Sequence, residues 1–316
     1  MSAAKRTGFS PERLARIDAF LQRRYIDTGK LPCALVQVHR RGEIAHTSVL
    51  GHADREAGTA LREESIFRIY SMTKPITSVA FMMLVEEGLV SLDDPVHRFI
   101  PSWRNLGVYA AGIPGAWQTT PTRAPMRTID LLRHTSGLTY GFQNRTNVDH
   151  AYRKAKINAF DTEGGLERMM ADLAQIPLEF SPGEAWNYSV STDVLGYLVE
   201  KISGLPFDRF LQERLFGPLG MADTAFHITD DKLDRFTACY QLTPAGKVEL
   251  QDPIASSTYR TPPALLSGGG GLVSTAADYM RFCRMLLNGG ELDGRRYLSR
   301  KTINLMTLNH LPGGQE

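Results

Sequence analysis

The sequence predicts an α/β (α+β) fold, in which an antiparallel sheet is flanked by helices and interrupted by a mostly helical insertion. Two β-rich runs, 33–39 and 44–50, enclose a short Arg-Arg-Gly-Glu turn, which is typical of a hairpin. From about 75–260 the chain then shows helical periodicity and Pro/Gly-containing loops, with few clear strands. Regular structure is expected again after the glycine run at 268–271.

The length fits one large domain. The chain has 316 residues, of which 42% are hydrophobic, and can therefore bury a substantial core. We expect a single domain over 1–316, with sheet parts near 32–70 and 261–316 and the helical region between them at about 75–260.

The charges nearly cancel, with 36 basic and 34 acidic residues, so no global field favours nucleic acid or an anionic membrane. A small-molecule partner is expected instead. The N-terminus lacks the apolar stretch of a signal peptide, and no segment reaches the roughly 18 apolar residues of a membrane span. The three cysteines are far apart and odd in number, which predicts reduced, mostly buried thiols and no disulfide framework. These features predict a cytoplasmic location.

Four helices can be placed in chain order. Ser10-Pro11-Glu12 is typical of a helix start, and apolar residues follow at helical spacing. A second helix is expected over 71–88, with its apolar side formed by Ile76, Val79, Ala80, Met83 and Leu84. Two more are expected at 276–287 and 299–308.

Ser71-Met72-Thr73-Lys74 places a hydroxyl and an amine three residues apart at the start of the second helix, on one face. A serine needs an adjacent base to become a nucleophile, and a lysine can act as that base when its pKa is lowered by burial or by nearby positive charge. The apolar run before Ser71 predicts that Lys74 is partly buried. Taken alone, the pattern also fits a capping serine beside a lysine that extends to solvent.

The wider segment, 70–77, resembles the S-x-x-K motif of class C β-lactamase-like serine hydrolases, particularly the family VIII carboxylesterases. Further segments resemble the same superfamily in the same order: 88–96, 131–138, 217–221 and 268–277. The resemblance implies a β-lactamase/transpeptidase-like fold, with Ser71 as the nucleophile and Lys74 as one of the groups that activate it.

The family's second motif, Tyr-x-Asn, falls on Tyr188-Ser189-Val190. The resemblance nominates Tyr188 as the group that, with Lys74, takes the proton of Ser71 and returns it to the leaving group. A core tyrosine is the alternative when this residue is considered alone. Val190 stands where relatives that cleave β-lactams and peptides carry a polar side chain that contacts the substrate amide. This departure favours ester substrates.

The third family motif has no match. Lys301-Thr302 is followed by Ile303 in a helical stretch, and 310–314 is a Pro-Gly loop without a strand pattern. In the family the chain continues with strands that complete the sheet and supply one oxyanion-hole N–H, so we expect a C-terminally truncated chain.

Other chemistries have less support. No G-x-S-x-G elbow occurs, since Ser136 lacks the first glycine of that motif, and the neighbouring His134 is interpreted as structural. No metal-ligand pattern appears, and the glycine run at 268–271 lacks the Gly-Lys-Ser/Thr of a phosphate loop. We expect that run to permit a close backbone approach near the site.

The sequence therefore predicts a serine hydrolase without a cofactor or metal, which cleaves small-molecule carboxylic esters through an acyl-Ser71 intermediate. Three alternatives stay open at this point: a β-lactamase or D-Ala-D-Ala peptidase, an acyltransferase, and a noncatalytic binding scaffold. The sequence assigns no oligomeric state.

Overall fold

The computed structural model describes residues 3–158 and 164–314. The helices are α1 (Ala3–Arg6), α2 (Pro11–Leu21), α3 (Thr73–Glu86), α4 (Thr128–Leu132), α5 (Asn147–Lys154), α6 (Gly165–Leu173), α7 (Ser191–Ser203), α8 (Phe207–Leu211), α9 (Gly217–Leu219), α10 (Ala276–Leu287) and α11 (Arg300–Met306). The strands are β1 (Cys33–Arg40), β2 (Glu43–Asp54), β3 (Thr59–Ala60), β4 (Phe67–Arg68), β5 (Val108–Ile113), β6 (Ala116–Thr120), β7 (Cys239–Leu242), β8 (Val248–Asp252), β9 (Val273–Ser274), β10 (Glu291–Leu292) and β11 (Arg295–Arg296).

These elements group into two compact units. The first contains the described residues up to Arg68 together with Asp223–Pro262 and Val273–Met280. The second contains Ile69–Ala222, Pro263–Leu272 and the described residues from Arg281 onwards. The single domain over 1–316 stays a prediction.

The first unit is built on a three-stranded antiparallel sheet in the order β1-β2-β3. The predicted hairpin is confirmed, since β1 and β2 pair from Cys33 opposite Gly51 to Arg40 opposite Glu43. Gly51 has a φ of +81°, and a Cβ there would lie 2.2 Å from the carbonyl oxygen of Pro32. Glycine is therefore required at this position of the sheet.

Two further antiparallel pairs in the first unit are β4 with β9 and β7 with β8. A hydrophobic cluster lies among their flanking segments, formed by Ile66, Ile228, Phe236, Tyr259 and Val273. Helix α2 begins as predicted, because Oγ of Ser10 accepts a hydrogen bond from the backbone N–H of Arg13 and Pro11 occupies the first helical position.

The second unit is organised around α3 and α7, which pack against each other. The predicted apolar positions of α3, from Ile76 to Leu84, are all buried. Every residue of α7 from Ser191 to Val199 is also buried, and α4, α6 and α8 pack around it. A helix buried on nearly all sides contributes about 1.5–3 kcal/mol for each large apolar side chain that it removes from water.

The region 75–260, expected to be mostly helical, contains two hairpins, β5 with β6 and β7 with β8. Strand β6 is largely exposed, and the β5–β6 hairpin lacks a clear apolar alternation. The Pro114-Gly115 pair between β5 and β6 is the turn signal that could have revealed the first hairpin.

The cysteines differ in part from the expectation. All three are free thiols, but Cys283 is exposed and the other two are only partly buried. Burial raises the pKa of the Cys33 thiol to about 11, so this thiol is unreactive at neutral pH.

Candidate active site

Ser71 lies in a 3₁₀ turn, Tyr70–Met72, that leads directly into α3. The sequence placed it at the helix start, but the α-helix itself begins at Thr73. Tyr70 has a φ of +41°, a conformation that costs a residue with a side chain free energy, and it immediately precedes an exposed Ser71. The backbone therefore turns sharply where the hydroxyl is presented to solvent.

The three site residues that the sequence nominated come together. Oγ of Ser71 lies 2.6 Å from the hydroxyl of Tyr188 and 3.3 Å from Nζ of Lys74. Tyr188 is separated from Ser71 by 117 positions in the chain, so their contact depends on the packing of α3 against α7, which Tyr188 directly precedes. Both groups that the sequence nominated to transfer protons therefore lie within hydrogen-bond reach of the candidate nucleophile.

Lys74 is partly buried, as predicted. Its ammonium donates a hydrogen bond of 2.6 Å to the carbonyl oxygen of Gly269. It also lies 4.5 Å from the ring centroid of Tyr188 and 5.4 Å from that of Tyr140. The amine is therefore fixed by one carbonyl and two aromatic faces beside Ser71.

The glycine run approaches α3 and the first turn of α7 closely. A Cβ at Gly268 would lie 2.5 Å from the carbonyl oxygen of Thr192, and the carbonyl of Gly268 accepts a 2.8 Å hydrogen bond from Thr77. At Gly269 a Cβ would lie 2.5 Å from Oδ2 of Asp193. The close backbone approach expected for this run is confirmed.

Tyr188 is supported from its backbone and from its neighbours. The side-chain amide of Gln143 donates to the carbonyl of Tyr188. Nδ1 of His134 lies 3.1 Å from Oγ of Ser189, and the rings of His134 and Tyr188 are 5.1 Å apart. Burial, followed by the charge of Lys74, lowers the pKa of His134 to about 4, so its imidazole is neutral at pH 7. His134 thus contacts the site but not Ser71, in keeping with its structural interpretation.

Aromatic side chains lie beside the ring of Tyr188. Phe142 stacks on Tyr140 at 4.8 Å between ring centroids, and Trp186 stacks beside Tyr188 at 6.4 Å. Phe142 and Trp186 are 65% and 52% exposed. These four residues are called the aromatic rim; exposed aromatic groups beside a reactive hydroxyl provide apolar contact area for a substrate.

Comparison with known proteins decides the family. The family model described as Beta-lactamase matches residues 17–315. This chain belongs to the beta-lactamase family. It is an enzyme of the β-lactamase-fold serine hydrolase type, and the predicted α/β fold is confirmed.

Several relatives resemble this beta-lactamase-family chain over most of its length. Protein Rv1367c of Mycobacterium tuberculosis is 36% identical over 294 residues, covering 93% of this chain and 72% of that protein. Esterase EstB of Burkholderia gladioli is 33% identical over 288 residues, covering 84% and 68%. The solved structure of "EstCE1, a hydrolase with promiscuous acyltransferase activity" matches with a TM-score of 0.78 and 27% identity, covering 93% of this chain and 76% of that one. Membership of family VIII stays a prediction.

Other site residues of this beta-lactamase-family chain were missed by sequence reasoning: Tyr140, Phe142, Trp186 and Asp193. Tyr140 follows the recognised segment 131–138 by two residues, and Asp193 follows Tyr188 by five. Their proximity to recognised motifs was the available signal. Gly269 was expected to permit a close backbone approach. The hydrogen bond that its carbonyl accepts from Lys74 depends on tertiary structure and was not predicted.

In 3–158 and 164–314 no group of three or more His, Cys, Asp or Glu side chains is arranged to hold a metal ion. Within the same ranges, none of the helices combines the length and the apolar character needed to cross a membrane.

Proposed function

We propose that this chain is a carboxylesterase that acts through an acyl-Ser71 intermediate. The observation that carries the proposal is the position of Oγ of Ser71 within hydrogen-bond reach of both Tyr188 and Lys74. The similarity to Esterase EstB supports an ester substrate. A cytoplasmic location and a reaction without a cofactor remain part of this proposal as predictions of the sequence.

In the acylation step, Oγ of Ser71 attacks the ester carbonyl carbon while its proton passes to the Tyr188–Lys74 pair. The tetrahedral intermediate then loses the alcohol, which leaves with that proton. The positive end of α3, just beyond Ser71, favours the negative charge that develops on the carbonyl oxygen. In the second step the same pair takes a proton from water, whose oxygen attacks the acyl carbonyl carbon. The bond to Oγ of Ser71 then breaks, the pair returns the proton to Oγ, and a carboxylic acid is released.

Val190 supports esters over amides. Its side chain is apolar and fully buried at the third position of the Tyr-x-Asn motif, so it offers no hydrogen bond to a substrate amide. An alcohol is a better leaving group than an amine and needs less assistance. We therefore expect much faster turnover of a p-nitrophenyl ester than of the matched p-nitroanilide or of a chromogenic cephalosporin.

A second candidate, acyl transfer, uses the same intermediate. EstCE1 is a hydrolase with promiscuous acyltransferase activity, and the similarity of this chain to it supports an alcohol as the acceptor in place of water. Addition of a short alcohol to the ester assay distinguishes the two reactions, since transfer yields a new ester and hydrolysis yields only the acid.

The test is intact-mass spectrometry after incubation with p-nitrophenyl acetate or a fluorophosphonate. We expect an adduct on the wild-type chain and none on Ser71→Ala. Ser78→Ala is the matched control, because Ser78 lies further along α3 and has no part in the proposed chemistry. An adduct that persists in Ser71→Ala, or no adduct on a folded wild-type chain, would overturn the proposal.

A further inference from the structure

We propose that Asp193 is a positioning residue: its buried carboxyl orients the Gly269 peptide so that Lys74 stays directed at Ser71, and its negative charge acts on the Lys74–Tyr188 pair. The inference deepens the proposed function, on which it rests. Asp193 itself does not touch Ser71, so it acts through other groups.

Asp193 lies in the first turn of α7, five residues after Tyr188, and its side chain is almost completely buried. Oδ1 accepts a hydrogen bond of 3.0 Å from the backbone N–H of Gly269 and one of 2.5 Å from the hydroxyl of Ser267. A buried carboxylate is costly unless it is paired or hydrogen-bonded. The two donors that offset this cost both come from the segment that carries the acceptor for Lys74.

Gly269 connects Asp193 to the reactive groups. Its N–H donates to Asp193, while its carbonyl oxygen accepts the 2.6 Å hydrogen bond from Nζ of Lys74. Lys74 in turn donates to Oγ of Ser71. Gly269 therefore connects the buried carboxyl of Asp193 to the ammonium of Lys74. A rotation of the peptide units of Gly269 would move this ammonium away from Ser71.

The surroundings leave little freedom for this peptide. A Cβ at Gly269 would lie 2.5 Å from Oδ2 of Asp193 and 2.9 Å from the hydroxyl of Tyr140. Asp193 and Tyr140 thus both lie against the same backbone atom. The close contact explains why the run needs glycine at position 269. It also means that replacing one atom of the Asp193 carboxyl alters the packing against Gly269.

The charge of Asp193 has a separate effect. Burial raises the pKa of this carboxyl, while its hydrogen bonds to Ser267 and Gly269 and the charge of Lys74 oppose that rise. The titratable groups that interact with it are Lys74 on α3 and Tyr140, whose own pKa is raised first by burial and then by this carboxyl. A negative charge beside reactive groups opposes the loss of a proton from them, so its removal should lower the pH at which the enzyme becomes active.

Asp193→Asn separates charge from geometry, because the amide oxygen of Asn can still accept from Gly269 and Ser267. We expect the acidic limb of the pH profile of kcat/KM for p-nitrophenyl acetate to move down by about one pH unit, with less than about a tenfold loss of kcat. Asp193→Ala removes both functions, and kcat should fall by at least about tenfold with little change in KM.

The matched control is Glu200→Gln. Glu200 lies two helical turns further along α7, and its carboxyl also accepts from a backbone N–H, that of Phe207. This variant should leave the acidic limb at its wild-type position. A purely structural role for Asp193 would lower stability and kcat without moving that limb.

An acidic limb unchanged in folded Asp193→Asn overturns the inference. If that variant does not fold, Ser267→Ala takes its place: loss of the hydroxyl donor makes the Asp193 carboxyl easier to protonate, so the limb should move in the same direction by a smaller amount, and an unchanged limb again overturns the inference. Fluorophosphonate labelling of wild-type Ser71 separates this result from failure of the proposed function, because absence of labelling refutes the esterase proposal itself.

Discussion

The phenolic oxygen of Tyr188 lies 2.6 Å from Oγ of Ser71. The ammonium of Lys74 is further from the same oxygen, at 3.3 Å, and makes its shortest contact with the carbonyl of Gly269 instead. This difference favours Tyr188 as the direct proton acceptor and Lys74 as a fixed positive charge beside it. The cation lies 4.5 Å from the centroid of the Tyr188 ring, within the range of a cation–π contact.

Tyr188→Phe tests the direct role of the phenol. The substitution removes one oxygen atom and keeps the ring that stacks beside Trp186. We expect kcat/KM for p-nitrophenyl acetate to fall by about 10²–10⁴-fold, the usual contribution of a positioned acid or base.

The control for the phenol is Tyr197→Phe. Tyr197 lies on α7, and its hydroxyl donates to Glu167 away from Ser71. This variant should retain near wild-type kcat/KM. Equal activity of Tyr188→Phe and the wild type would contradict a proton-transfer role for Tyr188.

Gly269→Ala tests the close packing beside Lys74. The added methyl would lie 2.5 Å from Asp193 and 2.9 Å from Tyr140, so the peptide that accepts from Lys74 must shift. We expect kcat to fall by at least about tenfold, since misplacement by about 1 Å can reduce catalysis by about 100-fold. Steady-state kinetics with p-nitrophenyl acetate provides the measurement.

The neighbouring glycine supplies the matched control. A methyl group added at Gly270 would have the carbonyl carbon of Tyr70 as its nearest neighbour, at 3.7 Å, an ordinary van der Waals contact. Gly270→Ala should therefore keep most of the activity. Similar losses in both variants would mean that general flexibility of the run matters more than the contact with Asp193.

Local patterns account for what the sequence predicted well. The S-x-x-K spacing and the apolar face of α3 involve residues within a few helical turns of each other. The cap at Ser10 and the β1–β2 hairpin depend on residues that are close together in the sequence. Tyr188 was nominated by resemblance alone. Its 2.6 Å contact with Ser71 joins residues far apart in the chain, and single-sequence periodicity carries no information about such a contact.

What the sequence missed depends on tertiary contacts. Asp193 occupies the first turn of α7, where an acidic residue is ordinarily explained by the helix dipole. Only packing brings it against Gly269, within 3.0 Å. The β5–β6 hairpin was missed for a different reason: its strands have mixed exposure, so the period-two pattern of a half-buried strand is weak.

The aromatic rim predicts a preference for substrates with apolar or aromatic groups. Phe142→Ala removes an exposed ring that stacks on Tyr140. An aromatic contact of about 0.5–1.5 kcal/mol corresponds to a rise in KM of about 2–10-fold for an aryl ester, with a smaller change for methyl acetate. KM and kcat are measured for both esters.

Leu287→Ala is the control for loss of an exposed apolar side chain. Leu287 is 77% exposed at the end of α10 and lies outside the aromatic rim. Its substitution should leave KM for both esters unchanged. If Phe142→Ala raises KM equally for the aryl and the methyl ester, the ring shapes the site without contacting the aromatic group.

The lowered pKa of the His134 side chain predicts that the folded chain loses stability in mild acid. Burial, followed by the charge of Lys74, lowers its folded-state pKa to about 4, whereas an unfolded histidine titrates near about 6.5. Between these two pKa values the unfolded chain binds more protons than the folded chain. The contribution of the neutral His134 side chain to stability is therefore complete above about pH 6.5 and is lost as the pH falls towards about 4. From about pH 7 to about pH 5 this group alone should reduce the free energy of unfolding by about 2 kcal/mol.

His134→Asn tests this dependence by urea unfolding at pH 7 and pH 5. Asparagine tolerates the φ of +57° at this position and can replace the contact with Ser189. The decrease in the free energy of unfolding from pH 7 to pH 5 should be smaller in this variant than in the wild type, by about 2 kcal/mol. The exposed His150 provides the control His150→Asn, which should keep the wild-type loss. If His134→Asn loses as much stability as the wild type on acidification, the proton is taken up elsewhere, and the buried imidazole is not what makes the fold acid-sensitive.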